Sequence, residues 1–474
     1  MSCPPLFFIN DAAMTTPQLH TTKTIDRKWL VFIAIGTGSF MVALDGSVVN
    51  AILPILRDTF NSNVATIEWA VTIYLLVLSG LLLSFGRLGD LRGHRSLYIL
   101  GFVVFVASSA LCGMAWSAGI LILFRGLQAI GGALLASNSP AIVTGNFPVE
   151  ERGRAFGLVS MMTYLGLTVG PSLGGWLTHA FGWRTVFYIN VPVGLLALTL
   201  SLIFIPKDSP SESEKRFDLP GAAVFLAALT LLLLGLNKGA DWGWSSPSVL
   251  GLLAGAAAFM AVFILIERRS SHPMLDLNLF RVPLFSTSTL GAILNYICLF
   301  SITFLMPFYL IQGRGLNPAQ AGLLLTVQPV MMAITAPVSG TLSDRVGSRV
   351  PGMLGMGVLA GGLLLLSRLG PGSELWLVAL GLAIAGAGTG MFIAPNTSAL
   401  MGAAPRARQG IASGVLATAR NFGMVLGIGL AAAIFTTHLA QNSEAAFYSG
   451  IDQGLLVGAG IAVLGVVVSA VKDD

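Results

Sequence analysis

Charged residues are scarce in this chain. They occupy 10% of its 474 positions, whereas hydrophobic types occupy 55%, and an ordinary soluble domain carries about 25% charged residues. This composition excludes an ordinary soluble domain. The formal net charge of +5 is explained by membrane topology, as set out below, and we predict no nucleic-acid partner.

Cysteine and histidine are also rare. The three cysteines, Cys3, Cys112 and Cys298, have no paired spacing, so the sequence indicates neither a disulfide framework nor a metal site. The five histidines are scattered between the N-terminal segment and the ends of hydrophobic runs, and they form no hydrolase pattern. We therefore predict that the protein is not an enzyme and uses no metal or other cofactor.

Two further features are missing. Residues 1–22 have no basic segment ahead of a short apolar stretch, so we predict no cleaved signal peptide and expect the first hydrophobic run to act as the membrane anchor. The longest hydrophilic stretches, 206–218 and 267–285, are too short to form a soluble domain. A membrane enzyme or a non-transporting receptor is therefore only a remote alternative.

Long hydrophobic runs, in contrast, fill almost the whole chain, and the mean hydropathy is +0.82. A run of about 20 residues spans ~30 Å of hydrocarbon, and only helices or closed barrels satisfy the backbone there. We predict an all-α integral membrane protein with fourteen transmembrane helices, near residues 29–53, 66–86, 97–116, 118–145, 154–177, 185–205, 219–236, 249–266, 286–311, 319–341, 350–369, 374–400, 411–435 and 451–471.

The distribution of basic residues predicts the orientation. Of the 26 Lys and Arg residues, two, Arg125 and Arg420, lie deep inside predicted spans, and most of the others fall on the same side as the N-terminus. The opposite side holds only Arg57, Arg184, Lys238, Arg314 and Arg368. By the positive-inside rule we predict that both termini are cytoplasmic, in a bacterial inner (plasma) membrane.

The chain contains an internal repeat. Gly86 to Arg95, after the second span, matches Gly340 to Arg349 after the tenth, and glycines of spans four and five recur in spans twelve and thirteen. This predicts two parallel six-helix bundles with an inserted two-helix hairpin. The predicted domains are a cytoplasmic tail (1–28), an N-terminal bundle (29–205), a linker with two extra helices (206–283) and a C-terminal bundle with a short tail (284–474).

Two opposite charges lie at membrane depth. Asp45 is ~12 Å inside one end of the first span and Arg125 is ~10 Å inside the matching end of the fourth, so the two side chains could meet. The repeat has Leu380 at the position of Arg125 and no acidic residue in the ninth span. A buried charge is costly and usually faces a wet cavity, although a purely structural ion pair is the alternative. Arg420 is a further deep basic residue, in the thirteenth span.

Four segments stand out as motifs, namely Leu44 to Pro54 in the first span, Gly86 to Arg95, Arg125 to Gly132, and Gly166 to Gly175 in the fifth span. They resemble motifs of the major facilitator superfamily, and of its 14-spanner drug/proton antiporter family in particular. The resemblance implies proton coupling by Asp45 and Arg125. It implies a conformational lock formed by Gly86, Arg87, Asp90, Arg92, Gly93, Arg95, Asp344 and Arg345, and an antiporter motif formed by Gly166, Gly170, Pro171, Gly174 and Gly175.

A substrate cavity is predicted from the weakly polar, aromatic and methionine side chains of the spans, which suit varied amphipathic ligands. Packing in the core or against lipid is the alternative reading for the aromatic stripe of the ninth span. The candidates are Asn50, Gln128, Asn138, Met161, Tyr164, Asn295, Tyr296, Phe300, Phe304, Gln328, Met331, Asn396 and Asn421.

The function predicted from these features is proton-driven export of small amphipathic compounds or drugs by alternating access. Spans ten and thirteen contain no carboxylate, which disfavours divalent cationic drugs and favours neutral, monocationic or anionic substrates. A dedicated exporter of one metabolite and a proton-coupled importer are the alternatives. The expected partners are the substrate, protons and membrane lipids, and we expect the monomer to be functional.

Overall fold

The structure is a computed structural model that describes residues 27–62, 64–208, 217–243, 245–270, 273, 275–439 and 443–471. Within these residues the chain is helical and contains no strand. Its α-helices are α1 (Arg27–Thr59), α2 (Val64–Arg92), α3 (His94–Gly113), α4 (Ala118–Asn146), α5 (Arg152–Phe181), α6 (Thr185–Tyr188), α7 (Asn190–Phe204), α8 (Leu219–Trp242), α9 (Pro247–Arg269), α10 (Pro283–Phe308), α11 (Pro318–Leu325), α12 (Val327–Val346), α13 (Arg349–Ser367), α14 (Leu375–Ala403), α15 (Gln409–Leu439) and α16 (Glu444–Ala470).

These helices form fourteen segments long and apolar enough to cross a membrane, because α6 with α7, and α11 with α12, each make one segment. The predicted all-helical, fourteen-span fold is confirmed. The helix that carries the first span extends beyond the predicted end of that span at residue 53, since α1 continues through Pro54 to Thr59. A helix keeps its backbone groups bonded in lipid, so one missing N–H at a proline does not end it.

The repeat is visible in the packing of the helices. In the N-terminal half α1 packs on α5 and α7, and α4 packs on α2 and α3. In the C-terminal half α10 packs on α15 and α16, and α14 packs on α12 and α13. The two halves therefore use the same arrangement. They meet along two seams, where α2 packs on α15 and α5 packs on α12.

One end of the bundle is formed by the ends of α2 and α12 and by the starts of α5 and α15. The described chain also begins and ends there, at Arg27 and Val471, since fourteen spans return it to the side on which it began. We call this end the lock face, for the contacts described below.

The two extra helices lie outside the seam between the halves. α8 packs against α9, and it also contacts both α2 and α15. Phe225 of α8 and Phe263 of α9 are both buried, with ring centroids 5.0 Å apart. Nearly all of the predicted tail (residues 1–26) and residues 209–216 of the predicted linker lie outside the described residues.

Candidate functional site

Asp45 and Arg125 form a buried ion pair. The Arg125 Nη1 group donates to Asp45 Oδ2 at 2.7 Å, and the two residues are 1% and 2% exposed, respectively. The predicted meeting of these side chains is confirmed. Both charges are taken out of water, so each depends on the other for compensation.

The second oxygen of Asp45 is held by two amides. Gln128 Nε2 donates to Oδ1 at 3.0 Å, and Asn190 Nδ2 donates to the same oxygen at 2.8 Å. Asn190 also donates to the Ser109 hydroxyl at 3.0 Å. The carboxylate thus has a donor on each oxygen, from helices α4 and α7, and its ionised form is well satisfied.

Arg125 makes further contacts with α2. Its Nε donates to the carbonyl oxygen of Ala70 at 3.1 Å, and its guanidinium carbon lies 4.3 Å from the centroid of the Tyr74 ring. Nη1 also donates to Gln128 Oε1 at 2.7 Å. The guanidinium therefore connects α1, α2 and α4 at one point.

The glycines of the fifth span pack α5 closely on α1 beside the pair. A methyl group on Gly170 would overlap the Ser47 hydroxyl, and one on Gly174 would meet Val48. Ser47 Oγ donates to the carbonyl oxygen of Gly166 at 3.2 Å. The stripe of these three glycines is a close helix contact, whereas Pro171 and Gly175 are exposed and take no part in it.

At the lock face, Asp90 of α2 binds the N-terminus of α15 in the other half. Its carboxylate accepts from the Gly410 N–H at 2.7 Å and from the Ile411 N–H at 2.9 Å. Its side chain is only 2% exposed. A carboxylate at a helix N-terminus satisfies N–H groups that have no partner in the helix, and it meets the positive end of the helix dipole.

Asp344 of α12 makes the equivalent contact in the other direction. Its carboxylate accepts from the Gly153 N–H at 2.7 Å and from the Arg154 N–H at 2.8 Å, at the start of α5. Each half therefore holds the other with the same motif. We call the contact of Asp90 with Gly410 and Ile411 the α2 lock, and that of Asp344 with Gly153 and Arg154 the α12 lock.

Glycines allow this approach in both locks. A methyl group on Gly86 would overlap the Gly410 carbonyl oxygen, and a methyl group on Gly410 would overlap that of Gly86. Gly340 and Gly153 face each other in the same way. The backbones of α2 and α15, and of α12 and α5, are therefore in direct contact.

One difference between the two locks is His94, which contacts the lock carboxylate Asp90. His94 Nε2 lies 3.3 Å from Asp90 Oδ1, and its Nδ1 lies 2.9 Å from Asn138 Oδ1. The Asn138 amide nitrogen donates to the carbonyl oxygen of Leu134 and to Ser137, so its oxygen is the acceptor towards His94. Both ring nitrogens face acceptors, which favours the protonated imidazolium. The repeat has Ser348 at this position.

The other residues predicted to form the lock lie outside the two lock contacts. Gly93 has φ of 99° and ends α2 in a turn that favours glycine. Arg95 Nη2 donates to the carbonyl oxygen of Leu202 at 2.9 Å. Arg87 is half-buried, and Arg92 and Arg345 are exposed. Of the eight predicted lock residues, Gly86, Asp90 and Asp344 make the described contacts between the halves.

A cavity of about 320 Å³ lies between the halves, on the lock-face side of the ion pair. It is lined by residues of α1, α3, α4 and α5, and by Thr397 of α14 and Arg420 of α15. Its remaining polar wall is made of hydroxyl-bearing side chains, such as Ser39, Ser160 and Thr163. This is a chamber suited to a small, largely apolar molecule.

None of the thirteen predicted cavity residues lines this chamber, and their role in a substrate cavity stays a prediction. Gln128 is bonded to Asp45, Asn138 contacts His94 beside the α2 lock, and Asn50 is exposed. Asn295 and Asn396 are buried inside the C-terminal half, bonded to Met356 Sδ and the Ser288 carbonyl oxygen. The others pack in or beside the core of that half or lie partly buried there, namely Met161, Tyr164, Tyr296, Phe300, Phe304, Gln328, Met331 and Asn421.

Some residues of the site were missed from sequence. Asn190 and Ser109 are polar residues in otherwise apolar spans, and that feature was a usable signal for both. Tyr74 and His94 carried no comparable signal. In the part of the chain that the structure describes, no cluster of three or more His, Cys, Asp or Glu residues could hold a metal ion.

Several known proteins are similar to this chain in sequence. The sequence matches the family model for the Major Facilitator Superfamily over residues 35–428 and again over residues 288–471. The riboflavin transporter RibZ of Clostridioides difficile is 34% identical over 454 residues, which cover 94% of this chain and 97% of that protein. The multidrug resistance protein Stp of Mycobacterium tuberculosis is 34% identical over 416 residues, 88% of this chain and 77% of that protein.

A solved structure shares the fold. The crystal structure of the human organic anion transporter TETRAN superposes with a TM-score of 0.68 at 16% sequence identity, and the match covers 93% of this chain and 99% of that one. At this identity the likeness concerns the fold alone.

Proposed function

The chain belongs to the major facilitator superfamily of membrane transporters, and we propose that it is a proton-coupled exporter of small amphipathic compounds that works by alternating access. The observation that carries the proposal is the buried pair of Asp45 and Arg125, with Gln128 and Asn190 on the second carboxylate oxygen. Relatives that include a multidrug resistance protein support export as the direction.

Protonation of Asp45 is the proposed coupling step. A proton on Oδ1 takes a position that now accepts a hydrogen bond from Gln128 or Asn190, and a proton on either oxygen removes the negative charge that compensates Arg125. A buried charge left without its partner costs several kcal/mol. The helices around the pair therefore rearrange until the guanidinium finds water or another acceptor.

Two helices connect the pair to the locks. α2 contacts Arg125 through the Ala70 carbonyl oxygen and, ~30 Å along the same helix, carries Asp90. α5 contacts α1 through Gly170 and, ~26 Å away, carries the lock residue Gly153 in its first turn. A shift of α1 or α4 at the pair is thereby transmitted to both locks.

Alternating access then follows from the two locks. In this conformation both locks are formed, and we infer that they close the chamber towards the lock face. Opening that face breaks the four hydrogen bonds of the α2 and α12 locks and separates the paired glycines. We infer that the lock face is cytoplasmic, that both termini lie there in a bacterial plasma membrane, and that the monomer is the transporting unit.

Transport in proteoliposomes tests the proposal. Riboflavin and compounds that raise the melting temperature in a ligand screen serve as probes, under an imposed pH gradient. We expect wild-type protein to accumulate a probe uphill and to move protons only when the probe is present. Asp45→Asn should lose uphill accumulation while still exchanging labelled for unlabelled probe, which also shows that it is folded. Uphill accumulation by Asp45→Asn would refute the coupling role.

Export of a single metabolite is the second candidate, favoured by the similarity to RibZ over 94% of the chain. The chamber is small and has one fixed charge, features that also suit one ligand. A screen in which only riboflavin and its close analogues stabilise the protein would select this candidate. Stabilisation by several unrelated amphipathic compounds would select the broader one.

A further inference from the structure

The chamber between the halves contains a single charged side chain. Among its lining residues only Arg420 is ionised at neutral pH. The apolar part of the wall includes Val42, Phe156 and Leu167. A ligand in this chamber therefore meets one positive charge, in apolar and hydroxyl-lined surroundings.

Arg420 has neutral partners. Its Nη2 donates to the Thr397 hydroxyl at 2.7 Å, and its guanidinium carbon lies 5.8 Å from the centroid of the Tyr296 ring. Within the described ranges, no carboxylate lies at ion-pair distance from Arg420. Arg125, by contrast, is matched by Asp45 at 2.7 Å.

The position of Arg420 makes this lack of a counter-charge costly. It lies ~16 Å from the start of α15 at Gln409, near the middle of the span. A charge at that depth costs at least ~2.5 to 3.5 kcal/mol. A guanidinium has five N–H donors, and in the described part of the chain only the bond to Thr397 uses one of them.

We propose that Arg420 binds a carboxylate group of the transported compound, so that the substrates are amphipathic organic anions. The carboxylate supplies the missing negative charge and accepts two parallel N–H bonds from the guanidinium. The apolar body of the compound lies against Val42, Phe156 and Leu167. This inference rests on the proposed function, because the occupant of the chamber is taken to be the substrate.

Binding of a matched pair of probes tests the inference. Naphthoate and naphthamide have the same ring and nearly the same size, and they differ in the negative charge. Titration calorimetry on the full chain in a neutral detergent, at fixed pH and without a gradient, should show wild type binding naphthoate about tenfold more tightly than naphthamide. Equal binding of the two probes, or no binding of naphthoate, would overturn the proposal.

Variants locate the effect. Arg420→Gln should reduce naphthoate binding to the level of naphthamide and leave naphthamide unchanged, and Arg420→Lys should keep part of the preference, since a lysine offers charge without the planar fork. Arg368→Gln removes an exposed arginine and should leave both affinities unchanged. An undiminished preference in Arg420→Gln would contradict the proposal, as would a loss of naphthoate binding in Arg420→Lys when its melting temperature equals that of wild type.

A failure of anion recognition can be distinguished from a failure of the proposed proton coupling. Asp45→Asn should retain the naphthoate preference at fixed pH, because Asp45 does not line the chamber. Loss of uphill transport in Asp45→Asn together with equal probe binding by wild type would support proton coupling and overturn anion recognition. Displacement of naphthoate by an anionic lipid but not by soluble carboxylates would also overturn it, since the site would then hold a lipid headgroup.

Discussion

Gly86 of α2 and Gly410 of α15 face each other across the seam between the halves, so closely that a methyl group on either would overlap the carbonyl oxygen of the other. This contact sits beside the Asp90 carboxylate, which accepts from the Gly410 and Ile411 N–H groups. The backbone contact and the charge-assisted bonds form one unit. Closure of the lock face depends on both.

Gly86→Ala should therefore open the lock face. The added methyl group has backbone atoms as neighbours, which cannot turn aside, and overpacking of this kind costs typically ~1 to 3 kcal/mol. A cysteine introduced at Ser160 in the chamber should react faster with a membrane-impermeant thiol reagent supplied at the lock face. Gly145→Ala is the control, because nothing lies within 4 Å of a methyl group there. Equal labelling rates in the two variants would contradict the role of the glycine contact.

Asp90→Asn should slow transport more than it weakens substrate binding. The variant loses the charge that meets the N-terminus of α15, and hydrogen bonds to charged groups contribute ~1.5 to 3 kcal/mol. Asp344→Asn is the matched variant in the α12 lock and should also slow transport, but by less. The difference is expected because Asp90 has an additional contact with His94. Turnover and binding constants, measured side by side, check this. An unchanged turnover with a changed binding constant would count against the lock.

The α2 lock should weaken as pH rises. Both ring nitrogens of His94 face acceptors, from Asp90 on one side and Asn138 on the other, and the Asp208 carboxylate lies next to it on the Arg95 N–H. The closed lock therefore favours protonated His94, so its contribution is present at low pH and lost as the imidazole deprotonates. Labelling of the chamber cysteine should increase between about pH 6 and pH 8.

His94→Ser tests that dependence, because it copies Ser348 of the other lock. The variant should show labelling that no longer changes over this pH range. A pH profile in His94→Ser that matches the wild-type profile would assign the dependence to another group.

The Asp45–Arg125 pair should show strong coupling in stability. Removal of one partner, in Asp45→Leu or Arg125→Leu, should lower the free energy of unfolding by about 3 to 5 kcal/mol, because the other charge stays buried and unpaired. The double variant should recover much of this loss. Thermal unfolding of the four proteins checks the cycle. Additive losses in the double variant would show that the two charges do not depend on each other.

Much of the fold could be predicted from the sequence. Runs of about 20 apolar residues have few alternatives in a membrane, and the repeat of Gly86–Arg95 in the second half gave the two-bundle arrangement. The meeting of Asp45 and Arg125 followed from their depths on antiparallel spans. Leu380, which matches Arg125 in the repeat, is exposed. It therefore gives no information about how that position packs in a core.

The chamber could not be predicted because hydropathy does not fix the rotation of a helix about its axis. The predicted residues Asn138, Asn396 and Asn421 are each next in sequence to a lining residue, namely Ser139, Thr397 and Arg420. One position along a helix turns the side chain by about 100°, which moves it off the chamber wall, and it places Asn138 and Asn396 in the core. The partners of the locks were also hidden, because Asp90 and Gly410 belong to opposite halves of the chain.

The pH dependence of substrate binding tests the central claim most directly. A probe without a titratable group between about pH 5 and pH 8, selected from the ligand screen, is titrated into wild type and Asp45→Asn. In the proposed cycle the substrate binds while Asp45 is ionised, so wild-type affinity should fall as pH is lowered and Asp45 is protonated. The affinity of Asp45→Asn should stay constant. Identical pH profiles for the two proteins would contradict Asp45 as the coupling residue.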